Sequence, residues 1–290
     1  MDFKDNHKGI LCILGAAFFF ALMNLFVQLS GELPIMQKAF FRNIVACLFA
    51  FFMILKSGGG FRIGKGNFKY MMGRSIAGVA GVVCNFYAIS HLNSISDASM
   101  LNKLSPFFAI LFSIVLIGER PDTVEWLTIV IAFAGALFVI KPSAGLASCP
   151  ALIGLFGGLG AGIAYAFVRK LGLRGERGPM IVLFFSASSS LMLLPGLILS
   201  YEPMTTGQLL SLVMAGVSAT GGQYCITAAY SYSPAKEISV YDYTQVLFAA
   251  LLGFIFLGQI PDYLSVIGYI IIIGVAIFRW QYTNRSSVTD

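Results

Sequence analysis

Ten apolar stretches of about 20 residues follow one another along this chain, separated only by short polar breaks, and few folds accommodate such a succession. The windows are 8–30, 34–56, 67–91, 94–117, 123–140, 150–171, 179–200, 206–231, 236–257 and 262–282. A bilayer core about 30 Å thick takes about 20 helical residues to cross. The runs are continuous rather than alternating, which argues against membrane-spanning strands. Soluble domains carry about 25% charged residues. Here 11% of 290 residues are charged and 58% are hydrophobic, with a mean hydropathy of +0.84. The chain is therefore expected to be a polytopic, all-α membrane protein. The breaks are too short to house a soluble domain, and they carry turn chemistry: "KSGGGFRIGKGN", "GERPD", "KPSAG", "RGERGP" and "GQIPD". The basic start runs straight into the first window with no small-x-small site, so that window reads as a spanning helix and not a cleaved leader.

The net charge of +6 raises the question of nucleic acid, and its distribution answers it. With the N-terminus placed in the cytoplasm, all but four of the 19 lysines and arginines fall on the inner side, Arg74 counted among them. Lys38 and Lys141 lie at the outer face, while Arg42 and Lys103 lie within spans. This bias predicts cytoplasmic N- and C-termini in a cytoplasmic membrane, and it explains the basic balance without a nucleic-acid partner. The five cysteines form no C-x-x-C, and His7 and His91 are far apart, so neither a disulfide framework nor a metal cluster is indicated.

Internal repetition organises the rest. "ASMLNKLSPFFAILFSIVLIGERPD" (98–122) lies over "ISVYDYTQVLFAALLGFIFLGQIPD" (238–262) at a constant offset of 140. Gly118 falls on Gly258, Pro121 on Pro261, Asp122 on Asp262, and Asp97 on Glu237. "LGAAFFFALMNLFVQ" (14–28) falls on "FGGLGAGIAYAFVRK" (156–170). Each half, 1–145 and 146–290, then holds five spans. An odd number makes the halves enter the membrane from opposite sides, an inverted repeat of the kind that frames midplane sites in secondary transporters.

Taken with "FFRNIVACLFAF" (40–51) and "LSPFFAILFSIVLIGERPDTVEWLTIVIAFAGALFVI" (104–140), this pattern resembles the drug/metabolite transporter superfamily and its EamA-type members over nearly the whole chain. The second copy departs from the pattern at Val246, opposite Pro106, and at Gln259, opposite Glu119. The resemblance implies a central cavity lined by spans one, three, four, six, eight and nine, with spans five and ten as scaffold. It also implies transport of small organic solutes, often amino acids or other metabolites.

Polar groups inside the spans are the candidates for contact with a solute. Lys103 lies near the midplane, where a charge costs about 2.5–3.5 kcal/mol on insertion scales. It either contacts substrate or holds a carboxylate. The repeat lays Asn102 over Asp242 and Lys103 over Tyr243, so Asp242 at matching depth is the expected partner, with Tyr241, Tyr243 and Gln245 around it. Lys103 and Asp242 would form a bipolar site; alternatively Asp242 titrates and couples transport to protons. Asn85 and Tyr87 in span three, and Gln223 and Tyr224 in span eight, are further candidates for orienting a polar solute. Interhelical hydrogen bonding competes with that role. Asn24, Tyr165 and Arg42 complete the set, Arg42 with an alternative role at a helix break. Asp97 and Glu237 read mainly as first-turn acids that favour the helix dipole.

"GGLGAG" (157–162) begins no strand-to-helix turn, so its small residues are expected to allow close helix packing rather than nucleotide binding. "SPFF" and Gly15, Gly78, Gly81, Gly221 and Gly222 are candidates for bends and sliding surfaces. No Walker loop, Ser-His-Asp set or H-E-x-x-H is present, which excludes the common ATP-driven and hydrolytic chemistries and calls for no cofactor. The expected function is secondary transport of an amino acid, organic acid or similar zwitterion or anion, with protons or a counter-substrate as coupling partner. Two alternatives stay open: exchange of phosphorylated or nucleotide-linked solutes, and a membrane enzyme or lipid-handling scaffold.

Overall fold

A computed structural model of the chain describes residues 3–57, 60–91, 101–140, 149–258 and 260–289. Among them there are ten helices and no strand: α1 (Phe3–Leu29), α2 (Ile35–Ser57), α3 (Phe68–His91), α4 (Ser105–Ile117), α5 (Thr123–Ile140), α6 (Cys149–Leu173), α7 (Gly178–Leu199), α8 (Thr206–Tyr232), α9 (Ala235–Leu257) and α10 (Tyr263–Thr289). Seven of these, α1, α2 and α6 to α10, contain stretches long and apolar enough to cross a membrane. The described parts of α4 and α5 are apolar but shorter. The third helix, with Lys69 and Arg74 in its first turns, is not among the seven. Two windows fell short of the real helices: α1 starts earlier than residue 8, and α10 continues past residue 282 through a polar tail. Asp97, Lys141 and Gln259 lie outside the described residues.

Helices of one half pack on helices of the other. The first helix runs along α8, α3 along α6, α2 along α7, and α5 along α10; α1 also meets α9, and α4 meets α6. Exchanging each helix for the one five places away maps this set onto itself, which is the two-fold relation of two inverted five-helix repeats. Small residues make the crossings close. A Cβ on Gly160 would stand 2.8 Å from Gly81 Cα, one on Gly157 2.9 Å from the Asn85 amide nitrogen, and one on Gly162 2.8 Å from that of Ala109. The "GGLGAG" stretch is thus the groove into which α3 and α4 settle. Gly81, Gly221 and Gly222 serve the same purpose inside unbroken helices, the last two against Phe19 and Phe20.

The repeated break "G-x-x-P-D" folds twice in the same way. Gly118 and Gly258 end their helices in the left-handed region, at φ +84° and +63°, which glycine adopts without a Cβ penalty. Four residues on, Asp122 and Glu125 form a capping box on α5, each accepting the other's backbone N–H at 2.7 Å. Asp262 caps α10 by accepting from Ser265 N at 3.0 Å.

The end that carries both termini is closed by ion pairs joining the halves. Glu119 Oε1 accepts from Arg169 Nε at 3.1 Å. Glu125, buried, accepts from Arg279 at 2.8 Å and lies 3.5 Å from Lys236, which also donates to the Arg120 carbonyl. Glu237 feels the charges of Arg279, Lys236, Glu125 and Arg169, so it belongs to this cluster and does more than cap a helix.

Candidate functional site

Both members of the repeated pair α4 and α9 are broken, and at the same register. Before α4, Lys103 and Leu104 form a turn, and Pro106, which has no N–H to donate, sits in the first helical turn. In α9 a 3₁₀ segment (Ser239–Tyr243) interrupts the helix, which resumes at Thr244. An offset of 140 therefore lays the turn at Lys103 and Leu104 over Tyr243 and Thr244, where the 3₁₀ segment ends. A carbonyl at each break, of Lys103 and of Asp242, accepts a side-chain donor from the other half. Discontinuous helices of this type build solute and ion sites in transporters because their freed backbone groups must be satisfied within a cavity.

The two breaks are stitched together. Lys103 Nζ donates to Asp242 Oδ2 at 3.2 Å, to the Asp242 carbonyl at 3.3 Å and to Gln245 Oε1 at 2.7 Å. In return Tyr243 OH donates to the Lys103 carbonyl at 2.9 Å. Lys103 is 9% exposed and Asp242 5%. A pair so buried recovers its desolvation cost only with extra hydrogen bonds of this kind.

Lys103 and Gln245 also line a cavity of about 470 Å³, with Asn24, Gln28, Ser265 and Tyr269 as its other polar or hydroxyl-bearing walls. Its remaining lining comes from the ends of α1 and α9 remote from the termini, from Val139 of α5, and from Ile260 and Pro261 between α9 and α10. The ammonium thus lies at the inner limit of this cavity, and the Glu119–Arg169 and Glu125–Arg279 pairs join the halves at the other end of the bundle.

The other expected residues divide. Tyr241 is buried, and the charges acting on it are those of Arg279 and Glu237, so it belongs to the terminus-end cluster rather than to Lys103. Asn102 is half-buried beside Lys103, with its carbonyl over Gly158. Asn85 Oδ1 and Tyr224 OH are buried without a hydrogen-bond partner among the described residues, whereas Tyr87 is 38% exposed.

Arg42, Tyr165 and Gln223 collect elsewhere, around a residue that sequence reading misplaced. Arg74 was counted with the cytoplasmic charges, but it is the seventh residue of α3, 3% exposed, donating to Gln223 Oε1 at 3.1 Å with its guanidinium 3.8 Å over the Phe185 ring. Its position inside the window 67–91 was the available clue. The guanidinium fits because Gly78, one turn on, leaves room for both it and Phe185. Arg42 bonds no backbone carbonyl among the described residues; it donates to Met23 Sδ at 3.8 Å and Asn43 Oδ1 at 3.4 Å. Tyr165 stacks on Tyr230 with centroids 5.0 Å apart and feels the charges of Asp242 on one side and of Arg42 and Arg74 on the other. Among the described residues no cluster of metal-binding side chains occurs.

Comparison with known proteins supplies the context for this geometry. The EamA-like transporter family pattern matches residues 7–141 and again 150–280. A pseudopaline exporter of Pseudomonas aeruginosa is 33% identical over 92% of this chain and 93% of its own. A riboflavin transporter of Brucella anthropi is 25% identical over 93% and 97%, and the human solute carrier family 35 member G1 is 23% identical over 96% and 81%. A solved crystal structure superposes with a TM-score of 0.81 over 96% of this chain and 98% of that one, at 16% identity, a likeness of fold alone.

Proposed function

Because the chain belongs to the EamA-like transporter family, we propose that it is a secondary active carrier of a small polar metabolite bearing an acid group. As a family member it is a multi-pass membrane transporter of small solutes and not an enzyme. The observation that carries the finer reading is the Lys103 ammonium, held at the inner limit of the cavity by Asp242 and Gln245. An acid group entering the cavity would accept from Lys103, while Asp242 takes the amine of a zwitterion.

In this reading the termini are cytoplasmic, the membrane is the cytoplasmic one, and the conformation faces outward. The halves 1–145 and 146–290 rock about the broken helices, exchanging the open cavity for an opening of the ion-paired end. Asp242 is the coupling site: a proton on its carboxylate weakens its hold on Lys103 and frees the ammonium for the solute. The named solutes of the relatives, pseudopaline and riboflavin, are small organic molecules, in keeping with a cavity of about 470 Å³.

Flux of labelled amino and organic acids into proteoliposomes, with and without a proton gradient, tests this. Saturable, gradient-dependent flux is expected in the native protein. Lys103→Gln removes a charge-assisted hydrogen bond of about 1.5–3 kcal/mol and should lower flux at least roughly tenfold. Undiminished flux in Lys103→Gln would remove the assignment.

A further inference from the structure

Two arginines lie in the interior of this bundle with no acid paired to them among the described residues. Arg42 is 7% exposed and Arg74 3%. Among the described residues neither makes an ion pair, and the charged or ionisable groups acting on them are Tyr165 and, on Arg74, Arg42 itself. Each is close enough to sense a like charge or a tyrosine, and no carboxylate among the described residues stands beside either. Their hydrogen bonds go to two amides and a thioether, Gln223, Asn43 and Met23. Among the described residues Arg74 Nε, buried, finds no hydrogen-bond partner. On the facing helix the Ser186 and Ser189 hydroxyls, near the Phe185 on which Arg74 lies, are likewise buried without partners among the described residues.

Such a group is costly. A buried charge is normally paired, and a guanidinium left with an empty N–H forfeits a charge-assisted hydrogen bond. Among the described residues the other two buried arginines each meet an acid, Arg169 Glu119 and Arg279 Glu125, although Arg279 also keeps Nε and Nη1 unbonded. The contrast in ion pairing marks Arg42 and Arg74 as a place for an acid that the described residues do not supply. Guanidinium forks suit the planar, two-oxygen geometry of an acid group. Tyr165 and Tyr230, stacked between this place and Asp242, link it to the Lys103 end.

From this we infer that Arg42 and Arg74, with Gln223 and Tyr165, form a second anion-binding position on the solute's route. The transported solute is then an organic anion with more than one acid group, one for Lys103 and one for the arginines. This rests on the transport reading above, and it adds Arg74, which that reading did not need.

The test is thermal unfolding of the purified protein in detergent at constant ionic strength, titrated with citrate, inorganic phosphate or acetate, for the native protein, Arg74→Gln, Arg74→Lys and Lys103→Gln. Citrate should raise the native midpoint at concentrations at least tenfold below those acetate needs. Arg74→Gln should unfold at the same or a higher temperature without anion, because it removes an unpaired buried charge, and its half-saturating citrate should rise at least tenfold; Arg74→Lys should recover part of that loss. A response to phosphate equal to that to citrate would place phosphate esters within the same class. Overturning results are a native protein indifferent to all three anions, acetate as effective as citrate, or Arg74→Gln with a lowered midpoint and an intact citrate response. If Arg74→Gln alone weakens the response and Lys103→Gln leaves it unchanged, the arginine position stands and the Lys103 assignment falls; the reverse pattern removes the arginine position and leaves Lys103.

Discussion

Neutralising Asp242 should damage the protein in a way that neutralising Lys103 as well repairs. In Asp242→Asn the ammonium stays buried, 9% exposed, and keeps Gln245 Oε1 at 2.7 Å and the residue 242 carbonyl at 3.3 Å. Breaking one side of a buried pair costs about 3–5 kcal/mol because the other charge is left uncompensated. Two surviving acceptors place this case near the lower figure, about 3 kcal/mol. Lys103→Gln leaves the carboxylate buried without its cation, and a similar cost of about 3 kcal/mol is expected. The double variant Lys103→Gln/Asp242→Asn carries no buried charge here, and its two amides can bond each other. A double-mutant cycle on unfolding midpoints in detergent should therefore give a coupling of about 6 kcal/mol, equal to both single losses together, the double variant lying near the native protein. Flux should behave differently and stay lost in all three, since a solute's acid group needs the ammonium. Additive destabilisation, or flux restored along with stability, would refute the reasoning.

Two further outcomes follow from particular contacts. Gly160→Ala would press a methyl within 2.7 Å of the Ala77 carbonyl and 2.8 Å of Gly81 Cα, both backbone; α3 and α6 must part, at about 1–3 kcal/mol, and the folded yield after detergent extraction should drop. Glu125→Gln takes from Arg279 its buried partner at 2.8 Å and from Lys236 its neighbour at 3.5 Å. Loosening this end should raise the labelling rate of a cysteine at position 231, beside Arg169, by a membrane-impermeant thiol reagent in the otherwise cysteine-free protein; an unchanged rate would remove the ion pairs from the closure of this end.

Much of the architecture could be read in the sequence because it is local and periodic. Apolar runs of span length predicted helices, and "G-x-x-P-D" predicted two equivalent stops, since a left-handed glycine and a capping aspartate act within a few residues. The constant offset also placed Lys103 and Asp242 at one depth, because a repeat transmits position from one half to the other. The break in α9 carried no such mark: Val246 stands where Pro106 does, and its 3₁₀ turn forms where Tyr243 and Asp242 reach across to Lys103.

Arg74 shows where sequence alone stopped. Seven residues past the basic loop 56–67 and seventh in its helix, it fits both a snorkelling cytoplasmic cation and a buried one. Only the meeting of α3 with α7 and α8 decides, by setting Phe185 beneath the guanidinium and Gln223, 149 residues away in the chain, at its tip. The same is true of Arg279 and Glu125, 154 residues apart. Helix, stop and repeat follow from neighbours along the chain, whereas which buried charge meets an acid depends on which faces turn inward. That choice is made by packing between the halves, where glycine grooves fix the distance and no local spacing records it.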